Sequence, residues 1–257
     1  MRSLIEHFRH PPWPALFGLS LVGYTISLTA AADIIPVAIC GAGAGYLPGS
    51  GNLWAAASAM LALNSPLSLL TGWCIMLAAM MPTLLAAPIV HVRHSSLVRR
   101  RTRAVLGFCT GYALVWLAMA APLGLLALLL DMAWSRAALP LAIAVAFVWN
   151  ASPVHQRLLN RAHRLPPLRL SGLRADADCL AFGVQHGLLC AAACWAWMLV
   201  PLLATEGHFA MMLLIGIALL AERLRLPRQP RWHAPAIVAL LRHLKWREPA
   251  RVAVRNA

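Results

Sequence analysis

The sequence predicts an all-α polytopic membrane helix bundle with about six transmembrane helices and both termini cytoplasmic. Three observations carry that reading. Hydrophobic residues make up 61% of the 257-residue chain and charged residues 12%, whereas a soluble domain carries roughly 25% charged residues. The apolar residues gather into runs long enough to cross a hydrocarbon core of about 30 Å as helices. The third observation is the placement of positive charge. Of the 22 Lys and Arg, all but Arg136 fall in the N-terminal segment, in every second loop or in the C-terminal tail. Six spans with both ends inside put those charges on one side, as the positive-inside rule requires.

The spans are expected at 14–40, 66–91, 104–130, 133–151, 179–203 and 208–226. This divides the chain into an N-terminal cytoplasmic segment 1–13, a bundle 14–226 and a basic tail 227–257. The first span follows Arg2 and Arg9 and runs into Ala30-Ala31-Ala32, an outline shared with secretory signals. The stretch from Ala15 to Ala32 exceeds the usual signal core, and apolar character resumes at Ile34, so an uncleaved helix is expected. The glycine-rich run 41–45 and the Pro48-Gly49-Ser50-Gly51 turn then read as a flexible outer loop. No strand–turn–helix context makes them a dinucleotide fingerprint. Residues 53–63 are expected to lie along the interface or to extend the second span.

Pro82 and Pro88 should kink the second span and free backbone carbonyls. The third span is uninterrupted by charge; the fourth is short and ends at Trp149-Asn150. Asp176 and Asp178 precede the fifth span and suit a helix N-terminus. Glu206 and His208, near Met211 and Met212, read as an ordinary polar turn, with a point of cation capture as the sharper alternative. Glu222 and Arg223 close the sixth span as an interfacial pair. In the tail, Trp232, Ile237, Leu240, Leu241 and Leu244 alternate with Arg242, Lys245 and Arg247, the pattern of an interfacial amphipathic helix.

Composition also excludes. The net charge of +14 would suggest nucleic acid in a soluble chain. Here it lies between apolar runs without a nucleic-acid motif, so orientation and anionic lipid headgroups account for it. The six cysteines sit in or at the ends of apolar runs and form no secreted disulfide framework. There is no nucleophile elbow, phosphate loop, zinc-protease motif or carboxylate pair, so enzymatic activity has little support. His91, His94, His155 and His163 are scattered among arginines and read as solvated.

The chemistry concentrates on the fifth span. His186, Cys190, Cys194 and Met198 recur every four residues, and at 3.6 residues per turn the stripe drifts only about 40° per step. Thiolate and thioether ligands favour soft ions such as Cu(I). Met76 and Met80 on the second span are also four apart and lie at matching depth. A site shared by the two spans is therefore expected if these stripes face each other. The bland alternatives are packing, since Met and Cys are ordinary apolar residues, and a His186 hydrogen-bonded to a neighbouring helix through Gln185 or Asn150.

The run Trp73-Cys74-Ile75-Met76-Leu77-Ala78-Ala79-Met80-Met81-Pro82 resembles the W-x-x-M-x-x-A-M-M-x-P signature of the DUF2182 family, described as predicted metal-binding integral membrane proteins. His186-Gly187-Leu188-Leu189-Cys190, followed by Cys194-Trp195, is similar to its H-G-x-x-C-x-x-C-C-W segment. Gly111-Tyr112 with Trp116, and Glu222 with Pro227, resemble two weaker motifs. Two departures stand out: Ala193 replaces the first of the adjacent cysteines, and residues 153–163 lack the C-x-x-x-C often found after the fourth span. The resemblance implies metal handling in a membrane bundle, without a loop metal site in this chain. Residues and resemblance together predict a copper protein of the inner membrane. Met76, Met80, His186, Cys190 and Cys194 would be the ligands and Met198 an outer relay. The metal would be moved across the membrane or delivered to a partner metalloprotein. The alternatives are a structural or assembly subunit of a larger membrane complex, and haem ligation by His186. Membrane lipids are expected partners and nucleic acid is not.

Overall fold

Local signals set the helix boundaries. A computed structural model describes residues 11–31, 54, 58, 61, 65–204, 207–235 and 237–238, and within these every regular element is helical. The first helix, α1, runs Trp13–Ala31. Ser65 starts α2 (Pro66–Met80): its hydroxyl accepts from the Ser68 amide, and Pro66 fills the first turn, where its missing N–H costs nothing. Pro82 then ends the helix. A 3-10 turn at Pro82–Leu85 leads into α3, Ala86–His94. The two halves meet at 54°, so the expected second span is a broken helix.

Beyond the basic turn lies α4 (Arg101–Trp134). It is followed by α5 (Ala138–Ala151), α6 (Pro153–Ala162), α7 (Leu173–Leu203) and α8 (His208–Arg223). The short α6 stands where the sequence suggested a loop. Ser152 caps it by accepting from the His155 amide, and Pro153 opens it. Its arginines occupy one face only, with Gln156, Leu159 and Ala162 buried on the other. It turns 66° away from α5.

Three helical stretches, 13–30, 98–134 and 173–203, are long and apolar enough to cross a membrane, and five are if each bent pair counts as one. The 16 residues of α8 rise about 24 Å, a little less than a bilayer core. The predicted N-terminal segment (apart from 11–13), residues 32–40 of the first span, Cys40 and the tail beyond 238 lie outside the described residues. So does all of the interfacial segment 53–63 except 54, 58 and 61.

The bundle is organised by the α4–α7 contact. Gly107 and Gly111 on α4 face α7 between Asp176 and Val184, and Gly183 and Gly187 on α7 face α4 between Phe108 and Val115, in each case four residues apart. A Cβ on Gly183 would fall on the Phe108 carbonyl, and one on Gly111 on the Leu180 carbonyl. Small residues at this spacing let two backbones approach closely in a membrane. At the basic end, Asp176 in the first turn of α7 pairs with Arg100 and, at 2.8 Å, with Arg103. Asp178 lies 3.8 Å from Arg169. The two acids thus bind arginines as well as favouring the helix end. The Trp73 indole donates to the Trp116 carbonyl at 2.9 Å, tying α2 to α4. The Tyr24 hydroxyl donates to the Met212 carbonyl at 3.3 Å, tying α1 to α8.

Candidate metal centre

The four-residue stripe on α7 faces the protein interior. Exposure is 3% at His186, 0% at Cys190, 3% at Cys194 and 0% at Met198, so none of the four is spent on the lipid-facing surface. Helical spacing brings the Cys190 and Cys194 sulfurs to 3.9 Å, and both are free thiols.

The α4–α7 glycine contact determines what meets those thiols. Tyr112 follows Gly111, and its hydroxyl lies 3.3 Å from the Cys190 sulfur. The same hydroxyl is 3.4 Å from the Met81 thioether. One phenolic proton is therefore placed between two sulfur acceptors. Met81 sits at the break after α2, so the second and fifth predicted spans are linked here through the Tyr112 hydroxyl. The thioether that reaches this point is that of Met81, the residue that follows α2.

Met76 and Met80, the thioethers singled out by spacing, are buried at 2% and 1% exposure. Met80 faces α8: its Cγ lies 3.9 Å from where a Cβ on Gly216 would stand. Met76 lines a cavity between α1, α2 and α8.

His186 is enclosed by aromatic rings. The Phe182, Phe108 and Tyr112 centroids lie 5.9, 6.0 and 6.2 Å away. Its Nε2 has no hydrogen-bond partner among the described residues. Gln185 is exposed and the Asn150 amide donates to the Ala146 carbonyl, so neither partner expected from the sequence serves it. A buried neutral imidazole with an open nitrogen has a lone pair that could bind a metal.

Sequence reasoning missed two features. Arg223, read as half of an interfacial pair with Glu222, reaches back from the end of α8 toward both thiols and Tyr112, near enough for charge to matter. Its Nη2 is buried without a hydrogen-bond partner among the described residues. His155, read as solvated, is 1% exposed, with its Nε2 3.7 Å from a Glu222 carboxylate oxygen.

Among the described residues, no three His, Cys, Asp or Glu side chains converge to hold one ion. A site at the paired thiols therefore has to draw on thioether sulfur. Two thiols, a thioether and a neighbouring guanidinium suit a soft monovalent cation. An ion bound by two thiolates keeps a net negative charge, which the guanidinium offsets. These residues fit Cu(I).

Comparison with known proteins agrees in kind. The family model PpoB2, described as Copper chaperone, matches residues 70–244. That range covers most of α2, all of α3 through α8, and every ligand candidate. No curated protein and no solved structure matches.

Proposed function

Because the chain belongs to the PpoB2 copper chaperone family, the one historically called DUF2182, we propose that it carries Cu(I) as cargo at Cys190, Cys194 and Met81 and delivers it to a partner metalloprotein. The observation that carries this reading is the Tyr112 hydroxyl set between the Cys190 thiol and the Met81 thioether. It supports the reading because soft donors from two elements approach the same hydroxyl. The family description names copper, and nothing supports the haem alternative for His186.

In this reading His186 and Met198 are the adjoining rungs on α7, one turn to either side of the thiol pair. Met80 and Met76 continue the thioether series along α2. A chain of soft donors, each of moderate strength, allows the ion to exchange where one rigid, closed site would retain it. The reading includes a six-span topology with both termini cytoplasmic, in the inner membrane. It rests on the one-sided distribution of arginines and on Arg93, Arg99, Arg100, Arg101 and Arg103 clustering where α3 turns into α4.

The test is a titration of purified protein with Cu(I) under anaerobic, reducing conditions, read by the ultraviolet charge-transfer band of Cu(I)–thiolate. Wild type should develop the band, and the Cys190→Ser/Cys194→Ser variant should not. Equal copper uptake by both would reject the thiol site.

A further inference from the structure

His208 stands at the start of α8, just after Gly207, whose φ of 67° turns the chain through the left-handed region. The imidazole is 5% exposed. Its Nδ1 lies 2.8 Å from the Pro201 carbonyl near the end of α7. A carbonyl can only accept, so Nδ1 carries the proton and Nε2 of the neutral ring presents a lone pair. That Nε2 is buried and has no hydrogen-bond partner among the described residues. Capping the end of α7 explains Nδ1 but leaves Nε2 unaccounted for. An orphaned buried acceptor costs on the order of 1–3 kcal/mol.

A small cavity of about 10 Å³, room for one water-sized centre, lies beside this ring, and Met76 of α2 and Met212 of α8 line it together with His208. The remaining lining residues, Ser27, Ala30, Gly72 and Ile75, include no charged side chain. A small space with one imidazole lone pair and two thioethers is poor for hard cations, which require oxygen ligands. It suits Cu(I), which accepts imidazole and thioether. A carbonyl that fixes the tautomer from the far side of the ring is the usual support for a metal-bound histidine.

The site is separate from the thiol pair. Neither Cys190, Cys194, Tyr112 nor Met81 lines the cavity beside His208. Between the two positions lie Met80, against Gly216, and then Met81, against Tyr112. We infer that His208, Met76 and Met212 form a second Cu(I) site at the end of the bundle opposite Arg223, where cargo is loaded before it passes along the α2 thioethers to Cys190 and Cys194. The inference rests on the proposed copper function for its cargo, though not for its ligands.

The experiment counts Cu(I) bound by the full-length protein, in competition with a chromophoric Cu(I) chelator, and records copper-edge X-ray absorption. Wild type should bind two Cu(I) and Cys190→Ala/Cys194→Ala one, coordinated by nitrogen and thioether sulfur. Adding Met76→Leu/Met212→Leu, a near-isosteric pair that preserves packing, should remove that remaining ion. His208→Gln should do the same independently. The inference is overturned if the Cys190→Ala/Cys194→Ala protein binds no copper, or if its copper survives both sets of changes. A wild-type stoichiometry of one, lost with the cysteines, overturns this site and leaves the thiol site standing. A stoichiometry of one lost only with His208 or the two methionines does the reverse, and no binding at all rejects both.

Discussion

The Tyr112 hydroxyl lies 3.3 Å from the Cys190 sulfur and closes the distance between α7 and the break in α2. This contact orients the Cys190 thiol, the part a supporting group would play if Cys190 binds the copper proposed above. Tyr112→Phe should keep the fold, since a single hydrogen bond contributes about 0.5–1.5 kcal/mol. Cu(I) affinity should fall by roughly tenfold to a hundredfold, as when outer partners of metal ligands are removed. A chelator competition on the purified variant measures this, and an unchanged affinity would remove Tyr112 from the site.

In the proposed copper site, Arg223 would supply the positive charge opposite two thiolates. Replacing it with Leu leaves a negatively charged copper–dithiolate buried without its counter-charge. Cu(I) affinity should drop by a factor of ten or more, equivalent to at least about 1.4 kcal/mol. Arg223→Lys should recover part of the loss. If Leu and Lys behave alike, the contribution of Arg223 is packing and not charge.

The glycine contact between α4 and α7 gives a structural prediction with opposite signs at two sites. Gly183→Val would push a side chain against the Phe108 carbonyl. It should cost about 1–3 kcal/mol, as overpacking does, and lower the thermal midpoint in detergent. Gly124, also on α4, has open space around it, with nothing within 4 Å of where a Cβ would stand. Gly124→Ala should therefore be neutral or raise stability by about 0.5–1 kcal/mol through reduced chain entropy.

Asp176 anchors the basic end of α7 to Arg100 and Arg103. Both partners of the Arg103 pair keep solvent access, so the ion-pair contribution is modest. Asp176→Asn should destabilise the protein by about 0.2–1 kcal/mol. The difference from wild type should shrink at high salt. A salt-independent loss of the same size would assign Asp176 to helix capping alone.

The helices were legible because a bilayer fixes their length and apolar character. Each expected span has a helix in the structure, the second and fourth as bent pairs, while α8, where the span 208–226 was expected, is too short to count among the three to five stretches long and apolar enough to cross. Ends were less legible: α4 begins at Arg101 and α7 at Leu173, because helices continue beyond the apolar run into the headgroup region. Pro82 announced the break in α2, but neither its angle nor the turn it imposes on Met81 can be read from spacing. The stripe from His186 to Met198 was readable as one face. That it faces inward depends on the glycines of α4 and α7, which the period of four does not reveal. Arg223 was missed because an arginine at a helix end fits the positive-inside pattern equally well whether it points to water or back into the bundle. His155 was missed for a related reason: α6 is too polar to read as a span, yet amphipathic enough to bury one side.

The bend after Met80 sends two consecutive methionines to different neighbours, Met80 to α8 and Met81 to α4. Each residue added to or removed from a helix rotates the rest of it by about 100°. The number of residues between Ser65 and Pro82 is thus under tighter constraint than their chemistry. An apolar exchange at an outward position such as Leu67 or Leu70 leaves the assignment of both sulfurs intact. A one-residue deletion in the same stretch would redirect every sulfur on α2 at once while preserving the helix itself.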